Sequence, residues 1–237
     1  MDESRLTSVV AVAALEEPTR RRLYEHVVRQ PAPVSRDEAA AALELPRTTA
    51  AFHLDKLADE GLLSVVFERR TGRFGPGAGR PAKLYRRSDK EVEVSLPERA
   101  YDVAGRLLAA AIEDAEASGE PAREALARRS DQYGETLGRT GRTTRLPTNA
   151  DDTLAGIDTL TRVLEAQGFE PRRDGNAILL GNCPFHALAK EHPALVCGMN
   201  QHLLTGLLRG LGNADFEAEL SPDAGHCCVR LTTDAKH

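Results

Sequence analysis

The sequence contains no tryptophan, and aromatic residues make up only 4% of its 237 residues. The hydrophobic fraction is nevertheless 41%, so we expect globular cores built from leucine, valine and alanine. No apolar run approaches the roughly 18 to 20 residues that a membrane-spanning helix requires. The first residues include acids where a secretory signal carries basic ones, which predicts a cytoplasmic protein with no membrane partner.

Several sequence motifs of enzymes are also missing. The chain has no GxSxG, no HExxH and no GxxxxGK[ST] motif. The stretch "GRFGPGAG" is rich in glycine, but Pro76 and the lack of a following helical pattern argue against a nucleotide-binding loop. A catalytic cysteine paired with a histidine is the remaining enzymatic alternative. We predict that the chain is not an enzyme.

Charge is distributed unevenly along the chain, whose net charge is −5. Residues 1–90 contain 16 basic and 13 acidic side chains, whereas residues 91–237 contain 15 and 23. The segment 67–87, "FERRTGRFGPGAGRPAKLYRR", holds seven lysines and arginines among six glycines and prolines. This asymmetry predicts an amino-terminal module that binds a polyanion and a carboxy-terminal part with another role.

The first 90 residues have the pattern of a small helical domain followed by a hairpin. Leu23 and Val27 recur at helical spacing after Pro18, which suits a first helical turn. Ser35 and Glu38 predict a capping box at the start of a short second helix. "RTTAAFHLDKLADEGLL" predicts a third helix, and "LLSVVFE" and "KLYRR" predict two paired strands. This order is that of a winged helix-turn-helix domain.

In such a domain the third helix enters the major groove of DNA, and the hairpin forms a wing beside it. The outward positions of the helix are predicted to contact phosphates and base edges, and they are Arg47, Thr48, Thr49, Phe52, His53 and Lys56. The wing is predicted to contact phosphates through Arg69, Arg70, Arg73, Arg80 and Lys83. The alternative is that these arginines only form a solvated surface.

Three stretches of the amino-terminal region carry a family resemblance. "LEEPTRRRLYEHV", "TTAAFHLDKLADEGLL" and "GAGRPAKLYR" resemble the ArsR-type winged-helix repressors over about residues 10–90. The resemblance implies a homodimeric repressor that binds double-stranded DNA at an inverted-repeat operator.

The rest of the chain predicts an α+β arrangement. Residues 97–139 predict two helices broken near Gly119 and Pro121, which support a dimer or pack within the chain. The segment from 146 onward predicts a helix, two short strands, a helix and two more strands, the last over "CCVRL". We therefore predict a winged helix-turn-helix domain over 1–92, a helical linker or dimerisation region over 93–145, and an α+β sensor domain over 146–237.

All four cysteines, Cys183, Cys197, Cys227 and Cys228, lie in the last 55 residues. In a reducing compartment such clustering favours a metal or redox role over disulfides. Thiolates are soft ligands that select zinc, copper(I) or an iron–sulfur cluster. Because neighbouring side chains of a strand point to opposite faces, only one of the last two cysteines is expected at the site. The alternative is that the cysteines are small buried apolar residues.

"NCPFHALAKEHPALVCGMN", with the later "CCVRL", resembles the sensor half of the SufR family of repressors of iron–sulfur cluster assembly operons. The resemblance implies a bound cluster of the [4Fe–4S] type, with zinc as the alternative. Cys183, Cys197 and one of Cys227 and Cys228 fall on the family's cysteine pattern. The family carries a further cysteine where this chain has Leu179, so the fourth ligand is expected from His186, His192, Cys228 or an external molecule.

Three functions are consistent with these patterns. The first is a DNA-binding regulator whose operator affinity depends on a metal or a cluster. The second is a winged-helix regulator that binds a small organic effector and whose cysteines are structural. The third is an interaction protein that does not bind duplex DNA.

Overall fold

A computed structural model describes residues 3–69, 81–143, 152–213, 215–222 and 225–233. The chain divides into two compact units, Met1–Val94 and Ser95–His237. Within the described ranges, no helix is long and apolar enough to cross a membrane.

The first unit is helical with one small antiparallel sheet. Its helices are α1 (Glu3–Ala13), a 3₁₀ turn (Ala14–Glu16), α2 (Pro18–Val28), α3 (Arg36–Ala42) and α4 (Arg47–Asp59). Its strands are β1 (Val34–Ser35), β2 (Leu63–Glu68) and β3 (Ala82–Arg87), in the order β1-β3-β2. The predicted sequence of helix, short helix, helix and hairpin is confirmed.

Local sequence explains where these helices begin and end. Pro18 is the first residue of α2, and the side chain of Glu17 accepts hydrogen bonds from the backbone there. Ser35 and Glu38 form the predicted capping box at the start of α3, with an N–H to Oγ distance of 3.2 Å. Gly61 has a φ of +75°, which a glycine adopts without strain, and the chain leaves α4 there.

The core of the first unit is built from small and branched aliphatic side chains. Ala50, Leu54 and Leu57 form the buried stripe of α4. They belong to one cluster with side chains from α2, α3 and the sheet, including Leu23, Val27, Ala39 and Tyr85. Since one side of α4 is fixed by this packing, its opposite side is presented to solvent.

The second unit combines helices with a four-stranded antiparallel sheet. Its helices are α5 (Tyr101–Ser118), α6 (Ala122–Thr143), α7 (Asp152–Ala166), α8 (His186–Glu191) and α9 (Pro193–Leu211). Its strands are β4 (Pro171–Asp174), β5 (Ala177–Leu180), β6 (Phe216–Leu220) and β7 (Val229–Thr233), in the order β4-β5-β7-β6. Helices α5 and α6, predicted as a linker or dimerisation region, contribute Leu107 and Leu126 to the same core as the sheet.

Two boundaries differ from the sequence prediction and bear on the site. The last helix is preceded by the separate short helix α8, because Pro193 occupies the first turn of α9 and cannot continue a helix from before it. The last strand begins at Val229, so Cys227 and Cys228 lie before it. The expectation that these two cysteines lie in a strand is therefore wrong.

Candidate nucleic-acid interface and cysteine site

The amino-terminal half of α4 is exposed along one side. Arg47, Thr48 and Phe52 are exposed there, whereas Thr49 and Lys56 are partly buried at the edges of this side. Arg69 is exposed just after β2. Three further predicted wing residues, Arg70, Arg73 and Arg80, lie outside the described residues.

His53 does not lie on the exposed side of α4, which corrects the prediction that it points outward. Its side chain is only 13% exposed, and its Nδ1 lies 3.6 Å from Oε2 of Glu17. The physical reason is helical geometry, since His53 follows the buried Ala50 by three residues and returns to nearly the same face. The imidazole therefore lies against the domain beside Glu17.

Three of the predicted phosphate-binding cations are paired with acids on the same surface. Nε of Arg47 lies 2.5 Å from Oδ1 of Asp37, and Lys56 pairs with Glu60 one turn further along α4. Nζ of Lys83 donates to Oδ1 of Asp55 at 2.5 Å. Exposed ion pairs of this kind contribute little to stability. A DNA phosphate can therefore replace Asp37, Glu60 or Asp55 as the partner of the cation at small cost in free energy.

Asp55 connects the hairpin to α4. Besides Lys83, it accepts a hydrogen bond of 2.6 Å from the hydroxyl of Tyr85. Nζ of Lys83 also lies 5.5 Å from the centre of the Tyr85 ring. Burial would raise the pKa of Asp55, but the hydrogen bonds from Lys83 and Tyr85 outweigh it and lower that pKa. The orientation of β3 against α4 is thus set by an ionised carboxylate.

The four cysteines come together from three segments of the second unit. Cys183 lies in the loop between β5 and α8, Cys197 lies on α9, and Cys227 and Cys228 immediately precede β7. Cys197 and Cys228 form a disulfide with a Cα–Cα distance of 6.4 Å. Cys183 and Cys227 are free thiols that share a hydrogen bond.

Cys227 and Cys228 each contact another cysteine, Cys227 through Cys183 and Cys228 through its disulfide with Cys197, so which of them would ligate a metal stays a prediction. Alternation does not separate them, because neither residue lies in β7. His186 opens α8 and is exposed, and its backbone N–H donates to the carbonyl of Cys183 at 3.1 Å. In the described ranges no three histidine, cysteine, aspartate or glutamate side chains are placed to hold a metal ion.

The donor set can be compared with what a metal or cluster requires. Four sulfurs are gathered, and thiolates are the ligands that zinc and iron–sulfur clusters prefer. Two of these sulfurs, however, are joined in the Cys197–Cys228 disulfide, and a disulfide sulfur is not a thiolate ligand. The described residues as they stand therefore do not offer a set of thiolates for a metal or a cluster, and such a site would require that this disulfide first be reduced.

The environment distinguishes the two free thiols. The hydrogen bond from Cys227 lowers the pKa of Cys183 to about 7, with further help from the Phe185 backbone N–H and the charge of Arg99 against the effect of burial. The same hydrogen bond and burial raise the pKa of Cys227. Cys183 is thus the more acidic thiol of the pair and the one that ionises first.

Sequence reasoning missed three polar residues around this pair. Asn200 is 1% exposed, and its Nδ2 donates to Sγ of Cys227 at 3.3 Å. Its Oδ1 is buried without a hydrogen-bond partner in the described part of the chain. Arg99 donates to the carbonyl of Cys183 at 3.2 Å and to Oδ1 of Asn182 at 2.5 Å. Asn200 follows Cys197 by one helical turn, which was a usable signal, but nothing local linked Arg99 to the site.

The helices, the antiparallel hairpin and the exposed half of α4 define the first unit as a helix-turn-helix module of the kind that binds duplex DNA. Residues 15–66 match the family model described as a helix-turn-helix domain. The match runs from the 3₁₀ turn into β2 and leaves the second unit uncovered. No curated protein and no solved structure matches the chain.

Proposed function

We propose that this chain is a DNA-binding transcriptional repressor whose operator affinity depends on the state of its four cysteines. The observation that carries the first half of the proposal is the helix-turn-helix domain with Arg47, Thr48 and Phe52 exposed on α4. Lys83 and Arg69 on the adjoining hairpin add positive charge where a duplex would lie. The protein acts as a homodimer on an inverted repeat, and its role is regulatory and not enzymatic.

The second half of the proposal concerns Cys183, Cys197, Cys227 and Cys228. After two electrons and two protons reduce the disulfide, these four thiols form a soft-ligand site, and binding of a metal releases protons. A bound iron–sulfur cluster would supply a redox-active centre, whereas zinc would supply a redox-inert cross-link. A fourth cysteine supplied by Cys228 makes the absence of a cysteine at position 179 compatible with this ligand set.

The Cys197–Cys228 disulfide links α9 to the segment just before β7. Reducing the bond between Cys197 and Cys228 removes the covalent link between α9 and the segment before β7. A difference of about 1 to 3 kcal/mol between two states would change operator affinity by roughly 5- to 150-fold. That range is sufficient for regulation.

Anaerobic purification followed by iron, sulfide and zinc analysis tests the sensor. We expect stoichiometric metal in the wild type and loss of metal in Cys197→Ser. His186→Ala is the matched control, and it should keep its metal because the four cysteines suffice. A Cys197→Ser variant with a full complement of metal would refute the ligand set.

A small-molecule effector is the second candidate function, and a cavity between α6 and α9, smaller than the roughly 300 to 1,000 Å³ typical of ligand sites, would admit only a small one. The cavity measures about 150 Å³ and lies between α6 and α9. Leu126 and Met199 form its apolar floor, and Arg123 and His202 supply polar groups at its edge. A metal-free protein that still regulates DNA binding, and loses regulation when Arg123 is replaced, would favour this candidate.

A further inference from the structure

Two phenylalanines of the first unit expose most of their rings to solvent. Phe52 on α4 is 67% exposed, and Phe67 on β2 is 65% exposed. Single exposed apolar side chains are common on proteins and need no explanation. Here two exposed phenylalanines share one charged surface, and the domain matches the helix-turn-helix family model. Such a surface indicates a contact with a binding partner.

The pairing of the hairpin places both rings on the same surface. Phe67 is directly opposite Lys83 in the β2–β3 register, so their side chains point to the same face of the hairpin. Lys83 in turn reaches α4 by its 2.5 Å hydrogen bond to Asp55. Asp55 lies one helical turn after Phe52. The Asp55–Lys83 ion pair therefore stands between the two aromatic residues.

The ring of Phe52 is oriented by its neighbour. It contacts the ring of His53 edge to face, with centroids 5.2 Å apart and planes inclined by 70°. His53 is itself held within the domain beside Glu17. The imidazole of His53 thus packs against the ring of Phe52, which is exposed to solvent. A ring fixed in this way loses little conformational entropy when it binds.

We propose that Phe52 recognises the C5-methyl group of a thymine in the major groove. This assignment deepens the proposed function and depends on it. A phenyl ring has no donor or acceptor, so it cannot distinguish bases by their hydrogen-bonding edges. Thymine alone presents a methyl group in that groove, and phenylalanine is one of the side chains that contact it. Phe52 therefore contributes sequence preference, while Arg47 and Lys83 contribute general affinity.

The test begins with selection of a preferred duplex from a random pool, using the full chain. Each thymine of that duplex is then replaced by uracil, which removes only the methyl group. At one position in each half-site we expect about fourfold weaker binding by the wild type, the value of one buried methyl. Phe52→Ala should bind the thymine and uracil duplexes equally, and Phe52→Leu should keep part of the preference.

Phe67→Ala is the matched control, because Phe67 is equally exposed but lies on the hairpin. It should keep the wild-type preference for thymine at the same position. The assignment is overturned if the wild type is insensitive to every thymine-to-uracil change, or if Phe52→Ala still distinguishes the two duplexes. Failure to enrich any duplex would instead overturn the proposed function, and with it this assignment.

Discussion

Gly134 of α6 faces the backbone of Leu203 in α9, and a Cβ at position 134 would lie 2.8 Å from the Leu203 carbonyl carbon. The contact is reciprocal, since a Cβ on Gly206 would lie 2.8 Å from the carbonyl carbon of Asp131. One turn further along, Gly138 and Gly210 make the same kind of approach. The two helices therefore pack backbone against backbone, and α9 holds Cys197 in a fixed position.

We predict that Gly134→Ala destabilises the second unit. The added methyl meets backbone atoms that cannot move aside, so the helices must separate at a cost of about 1 to 3 kcal/mol in the free energy of unfolding. Urea unfolding followed by circular dichroism measures this. Gly105→Ala on α5 is the control, because none of the described residues would come within 4 Å of its added Cβ. It should gain up to about 1 kcal/mol in stability.

The stability of the second unit should also depend on Asp114 in acid. The hydrogen bond from Arg129, opposed by burial and supported by the hydrogen bond from Arg128 and the charges of both arginines, lowers its pKa from 3.8 to about 2. A lowered pKa in the folded state means stabilisation that is present above pH 4 and lost as pH falls toward 2. Asp114→Asn should therefore lower the melting temperature at pH 7, and the difference from wild type should vanish near pH 2.

Asp102→Asn provides the comparison for that measurement. Asp102 pairs with Arg106 within α5 and is well exposed, so its replacement should change the melting temperature little at either pH. A difference between wild type and Asp114→Asn that persists unchanged at pH 2 would contradict the assigned role of the carboxylate.

Local patterns in the sequence predicted most elements of the first unit. Pro18, Ser35 and Gly61 act on their nearest neighbours, and periodicity alone identifies the buried stripe of α4. The prediction that His53 points outward was wrong because it rested on residue type alone. Positions 50 and 53 are nearly one helical turn apart, so His53 lies close to the buried face that contains Ala50. The tight α6–α9 packing was missed because glycines inside a helix ordinarily lower confidence in it, and their partner is distant in sequence.

The cysteine cluster was predicted as a set but not in its pairing. The clustering of the four cysteines in the sequence predicted that they act together. Their pairing depends on where β7 begins, and β7 begins two residues later than expected. The role of Arg99 depends on tertiary contacts with no sequence signature, whereas Asn200 could have been linked to the site by its position one helical turn after Cys197.

The pairing leads to a prediction about thiol reactivity. In denatured, chelator-treated protein prepared in air, two thiols should react before reduction and four after it. Cys228→Ser should show three reactive thiols, and Cys227→Ser should show one. Peptide mapping should join Cys197 to Cys228. A linked peptide that instead joins Cys183 to Cys227 or Cys197 would show that the pairing is different.

Removal of the negative charge at Asp55 should strengthen binding to any duplex. Asp55→Asn removes the acid that competes with a phosphate for Lys83, whereas Lys83→Ala removes the phosphate contact itself and should flatten the plot of log affinity against log salt by about 0.9. Fluorescence anisotropy across a salt series measures the slope. Asp89→Asn is the control, since its partner Arg86 lies at the far end of β3. A slope for Lys83→Ala equal to that of the wild type would exclude a phosphate contact by Lys83.

The most direct test compares operator affinity in the two cysteine states. The selected duplex is titrated with the same protein preparation, first with the Cys197–Cys228 disulfide formed and then after anaerobic reduction and metal loading. The account predicts affinities that differ at least about fivefold in the wild type, and no difference in Cys197→Ser. Equal affinities in both states of the wild type would contradict it.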